Sequence, residues 1–95
     1  MTNRMYSVEI PADGVDHAVE LSSDILDVTA QRSQAVKIWW LADPDDPNAP
    51  VPSTWRLRLF PQSTTVIPSG YVHLASVVMP TVNLVSHLFQ NTNPE

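Results

Sequence analysis

The chain predicts an all-β fold of about seven antiparallel strands, arranged as a small sandwich or barrel. Three observations support this. Short runs alternate apolar with polar residues, the period of a strand with one buried face, and turn-forming clusters recur at intervals of roughly 8–12 residues. No segment sustains a convincing helical period. The best helix candidate, Val15 to Asp27, has carboxylates and a serine able to cap, but its β-branched residues and the Ser22-Ser23 break favour extended structure.

Met5 to Ile10 opens the pattern, with Tyr6, Val8 and Ile10 on one face and Ser7 and Glu9 on the other. Pro11-Ala12-Asp13-Gly14 is turn chemistry. A run through Val19, Glu20 and Leu21 follows; after Ser22-Ser23-Asp24, Ile25 to Gln31 is rich in β-favouring residues, and the two runs are placed to pair across this short connection. Gln31 to Gln34 is a polar turn into a strand from Val36 to Ala42. Residues 43–53 hold four prolines and three aspartates, so missing backbone donors and self-repelling charge predict an exposed acidic loop. Strand character returns from Thr54 to Phe60, and Pro61 to Thr65 ends it. Val66-Ile67-Pro68-Ser69-Gly70 then forms a turn in which Gly70 is free to take a positive φ. Tyr71 to Met79 is the longest apolar strand; Pro80 to Asn83 closes it, and Leu84 to Gln90 is the last strand before a polar tail, residues 91–95.

A length of 95 residues suits a single domain, residues 1–95, with one core. Surface scaling leaves roughly 5,500 Å² exposed out of roughly 15,400 Å² for the unfolded chain, so stability is modest and self-association into a homo-oligomer is a reasonable way to bury more. With no cysteine, neither disulfides nor thiolate metal sites supplement the core. The formal net charge of −5 opposes duplex nucleic acid as a partner. No apolar run approaches the ~18 residues of a membrane span, and Met1 to Tyr6 lacks the apolar stretch and cleavage site of a secretory signal. A cytoplasmic protein is expected.

Most catalytic constellations are absent from the sequence. Gly14 and Gly70 are the only glycines, so neither a dinucleotide fingerprint nor a phosphate-binding P-loop can be drawn. His17, His73 and His87 lack the close spacing that puts two metal ligands on one face, and no metal or cofactor is expected. No serine sits in a nucleophile elbow. Asp43, Asp45 and Asp46 read as a solvated loop, too mobile to hold reacting groups. The expectation is a protein that binds rather than catalyses.

The richest chemistry lies between Val36 and Phe60, which holds all three tryptophans and three of the five basic residues. Read as a hairpin, its two strands turn Val36, Ile38 and Trp40 with Trp55, Leu57 and Leu59 toward the core. Lys37, Trp39, Arg56 and Arg58 are then left together on the outer face. Such a set suits a ligand with an aromatic base and phosphates, the ring stacking and arginine making paired bonds to phosphate oxygens. An exposed sheet face whose arginine stems cover Trp39, or a subunit interface, accounts for the same residues. His73 shares strand parity with Tyr71, Ala75 and Val77, and His87 with Val85 and Phe89. If the last two strands pair, Tyr71, His73 and His87 stand at the rim of a pocket and donate to a phosphate or ribose; hydrogen-bonded structural histidines are the simpler reading.

Several motifs occur in a distinctive order along nearly the whole chain: Tyr6 with Glu9 and Pro11, Trp39 to Pro44 as Trp-x-Leu-x-Asp-Pro, Arg58 with Phe60, Ile67 to Tyr71 as Ile-Pro-x-Gly-Tyr, and the closing His87-Leu88-Phe89. In these the chain resembles a family of short, uncharacterised bacteriophage and prophage proteins. It departs from the family pattern at Pro61 to Thr65, where relatives have a Gly-Thr-Gly stretch, and at Val72-His73-Leu74, where they have Gly-Thr after the turn tyrosine. Those departures weaken any ligand approach that depends on glycine.

The resemblance implies a phage protein acting in the host bacterial cell. By analogy with other small phage proteins, one expectation is an anti-defence sponge, a homo-oligomer that sequesters a nucleotide immune signal of the cyclic dinucleotide or cyclic ADP-ribose type. Its residues would be Lys37, Trp39, Arg56 and Arg58 with Tyr71, His73 or His87. The alternative is a protein–protein interaction module, a host-protein inhibitor or virion-associated structural protein, using the outer sheet face or the proline-rich loop.

Overall fold

The computed structural model describes residues 3–31, 34–80 and 83–94, which form seven strands in two antiparallel sheets. The strands are β1 (Arg4–Pro11), β2 (His17–Leu21), β3 (Asp27–Gln31), β4 (Ala35–Ala42), β5 (Ser53–Pro61), β6 (Tyr71–Met79) and β7 (Leu84–Asn91). One sheet has the order β1-β4-β3 and the other β2-β5-β7-β6. Neither closes on itself, so of the two expected architectures the molecule is the sandwich. Its shortest extent over Cα atoms is 16 Å, which suits two sheets packed about 10 Å apart.

Strand alternation places the core. On β4 Val36 and Ile38 are fully buried, and on β5 so is Leu57, with Leu59 nearly so. Ile10, Val19, Leu21, Met79 and Leu88 complete one continuous cluster between the sheets. Val8, Trp40 and Trp55 are partly buried against it, as their parity requires. Burying each such side chain contributes about 1.5–3 kcal/mol. Total exposed area is 6057 Å², about a tenth above the scaling expectation for this mass. The excess follows from the slab shape, 44 × 31 × 16 Å.

Two expected pairings are corrected. β4 and β5 form no hairpin: β4 pairs with β1 and β3, whereas β5 pairs with β2 and β7. Residues 43–52 cross from one sheet to the other. Four prolines and a ten-residue span hold the chain ends apart rather than closing a tight turn. β2 and β3 likewise lie in different sheets. The β6–β7 pairing is present as expected.

A bulge between His73 and Ala75 changes the facing of β6. Tyr71 and His73 lie opposite Asn91 and Phe89 on the outer face, but Ala75 and Val77 lie opposite Leu88 and Ser86 on the inner one. The expectation that His73 shares a face with Ala75 and Val77 is therefore corrected: Leu74 and Val77 pack on the core while His73 is exposed.

Gly70 takes the positive φ its turn needs, +87°, and a Cβ there would collide with the Asn93 side chain. The tail is tied to this turn. Thr92 N–H and its hydroxyl donate to the Gly70 carbonyl at 2.8 and 2.6 Å, and Asn93 Nδ2 donates to the Ser69 carbonyl at 2.9 Å.

Candidate functional site

The outer face of the four-stranded sheet gathers five of the seven residues singled out from sequence. Register defines three rows across it. Ala18, Arg56, Asn91 and Tyr71 form the first; Arg58, Phe89 and His73 the second; Phe60, His87 and Ser76 the third. Continuing the β2–β5 register one residue beyond His17 and Leu57 brings Asp16 opposite Arg58.

Asp16 is the fixed point of this face. Its carboxylate accepts Arg58 Nε–H at 2.9 Å, the Tyr71 hydroxyl at 2.9 and 3.2 Å, and Asn91 Nδ2 at 2.8 Å. Burial works against its charge, but the bonds from Asn91, Tyr71 and Arg58 and the Arg58 charge outweigh it, holding the carboxyl below its ordinary pKa. The Tyr71 phenol is raised, first by burial and then by its bond to Asp16. The Arg58 guanidinium lies 5.6 Å from the Phe60 ring centre and 5.3 Å from that of Tyr71. Phe60 packs edge-on against Tyr71 at 5.5 Å and Phe89 at 5.2 Å, so although its parity is outward it is only 8% exposed. Arg58 is thus a brace, its charge compensated by Asp16.

Three polar side chains continue this face. The Ser76 hydroxyl lies 2.8 Å from His73 Nε2 and 2.7 Å from His87 Nδ1. One hydroxyl can donate to one imidazole and accept from the other, which joins the three in a directed chain. The rings are 6.0 Å apart, and His73 also meets the edge of Phe89 at 5.2 Å. Arg56, between Ala18 and Asn91 in register, has no ion pair among the described residues.

Lys37 and Trp39 belong elsewhere. They lie on the outer face of the three-stranded sheet, with Glu9 and Thr29 flanking Lys37 in register. Because Val36 and Ile38 on β4 and Leu57 and Leu59 on β5 meet in the same core, Lys37 and Trp39 point away from Arg56 and Arg58. The expected four-residue Lys37-Trp39-Arg56-Arg58 site does not assemble. Lys37 Nζ sits 5.3 Å from the Trp39 ring centre, and Trp39 Nε1 donates to Thr29 Oγ1 at 3.0 Å.

Sequence reading missed Asp16, Asn91 and Ser76. Asp16 meets its partners across 42 to 75 residues of chain, so no local spacing marks it. Ser76 joins the face only because the bulge reverses parity after His73.

The model of a domain of unknown function, DUF7352, matches residues 1–95. The chain belongs to the DUF7352 family. No curated protein and no solved structure gives a significant match to it. Among the described residues of this DUF7352 domain, no three or more histidine, cysteine or acidic side chains are grouped to hold a metal ion. No described helix is long and apolar enough to cross a membrane.

Proposed function

We propose that this DUF7352 protein is a non-enzymatic binding module that takes a small anionic ligand on the outer face of the β2-β5-β7-β6 sheet. The observation that carries this reading is that Arg56 and the His73-Ser76-His87 chain share one sheet face, in its first row and in its second and third, with the cation–aromatic brace of Arg58 and Tyr71 beside them. Arg56 supplies uncompensated charge, the imidazole–hydroxyl chain supplies hydrogen bonds, and Phe89 and Tyr71 supply aromatic edges. A phosphate-bearing nucleotide has complementary chemistry. The first ligand class to try is the nucleotide immune signals of bacteria, with the protein acting as a phage sponge in the host cytoplasm.

Thermal stabilisation against cyclic dinucleotides and cyclic ADP-ribose species tests this. A rise in Tm that is lost in Arg56→Ala and kept in Lys37→Ala is expected, with the ligand recovered intact after denaturation. No shift at ligand concentrations of about 1 mM sinks the reading, since a Kd above that contributes under ~4 kcal/mol. Turnover of the ligand replaces binding with catalysis.

A protein partner is the second reading. Val78 is 55% exposed and, with Val85 opposite it, continues the same outer face in an apolar margin that an anion does not need. A host or virion protein docking there gives no nucleotide response and a complex weakened by Val78→Asp.

A further inference from the structure

A second site, separate in its residues from the Arg56 face, lies on the acidic loop. A hollow of about 530 Å³ opens between the start of β1, the end of β4 and residues 43–52, a volume within the range of ligand sites, roughly 300–1,000 Å³. Tyr6 and Trp40, paired in register and stacked at 6.0 Å and 23°, line one side. Pro50, Pro52, Asp43 and Asp46 line the hollow as well. No basic side chain lines it among the described residues, and neither aspartate is in an ion pair there. Arg4, opposite Ala42 in register, is exposed and forms none of the wall.

Rings, proline faces and two uncompensated carboxylates in one concavity select against an anion and for a planar organic cation. We infer that this hollow binds a guanidinium group of the arginine type. Its flat face stacks on the Tyr6–Trp40 wall, its donors reach the aspartate oxygens, and its aliphatic stem runs along the prolines. The site is partly preorganised. Asp43 Oδ1 accepts Asp45 N–H at 3.0 Å and Asp46 Oδ1 accepts Asn48 N–H at 2.8 Å, which orients both carboxylates while leaving further lone pairs for a ligand. Ser23 Oγ donates to the Leu41 carbonyl at 2.6 Å and ties the adjoining turn to β4.

The group has two sources, a free small molecule or an arginine of a partner protein. Acetyl-arginine amide, its uncharged isostere acetyl-citrulline amide and a glycine/serine pentapeptide with one central arginine separate them, titrated by tryptophan fluorescence and calorimetry. Saturable binding of the arginine probe is expected, with citrulline at least about tenfold weaker. Asp43→Asn/Asp46→Asn is the chosen variant because asparagine keeps the carbonyl oxygen that accepts each loop N–H and removes only the charge; it should weaken binding by about fivefold or more. Trp40→Leu should weaken it too. Pentapeptide binding more than about tenfold tighter than the single residue assigns the site to a protein partner, and equal binding to a small molecule. Absence of saturable binding at about 10 mM, or equal binding of citrulline, overturns the inference. The hollow and the Arg56 face share no residue, so either site can fail alone.

Discussion

Asp16 organises more of the molecule than any side chain that sequence reading selected. It accepts bonds from β5, β6 and β7 at once, and so holds Arg58 against the rings of Phe60 and Tyr71. Asp16→Asn keeps the shape but leaves the guanidinium without a counter-charge, and a loss of about 1–3 kcal/mol in denaturant unfolding at neutral pH is expected. The pH dependence has a definite sign. With its folded-state pKa depressed, the carboxylate contributes fully above the ordinary aspartate value and the contribution disappears as pH falls through the folded value. The gap between wild type and Asp16→Asn should therefore narrow below about pH 4. A gap that persists unchanged into acid would show that Asp16 acts without its charge.

Most strand faces were legible in sequence, whereas of the three pairings expected only β6–β7 is present. Period-two alternation assigned Val36, Ile38, Leu57 and Leu59 to the core, because each facing depends only on its own strand. Pairing depends on loops and on which apolar faces meet, and there adjacency in sequence misled: β4 and β5 sit in different sheets. That error built the Lys37-Trp39-Arg56-Arg58 set. The β6 bulge hid Ser76, since parity counted from Tyr71 fails after His73. Tyr71, His73 and His87 share one face because β6 and β7 pair as expected, but only the two histidines are joined, through Ser76, while Tyr71 bonds Asp16. Replacing residues 43–52 with Asn-Gly, which suits a two-residue hairpin, separates the two accounts. With β4 and β5 in opposite sheets the replacement cannot span the crossover, so loss of the cooperative unfolding transition is expected. A stable, folded variant would restore the hairpin.

A slab with 6057 Å² of exposed surface on a 10.6 kDa chain buries less than its mass allows, and its two broad outer faces differ in character. One carries the Asp16-braced aromatic layer; the other carries Trp39 within a hollow of about 440 Å³ lined by Met5, Leu26, Asp27 and Thr29. Self-association through such a face is consistent with the sponge reading, because a symmetric oligomer encloses a ligand that a flat sheet only supports. Sedimentation equilibrium should give a mass that is a multiple of 10.6 kDa, and the multiple should fall on Val78→Asp if the Arg56 face is the interface. A monomer at every concentration would leave the ligand to an open surface.

The proposed ligand face can be read atom by atom in solution. In a titration of labelled protein with a cyclic dinucleotide, followed by two-dimensional NMR, the imidazole signals of His73 and His87 and the Arg56 side chain should move together while the Trp39 indole N–H, bonded to Thr29, stays in place. Movement of the Trp39 indole with Arg56, His73 and His87 unchanged would contradict the assignment and return the site to the three-stranded sheet.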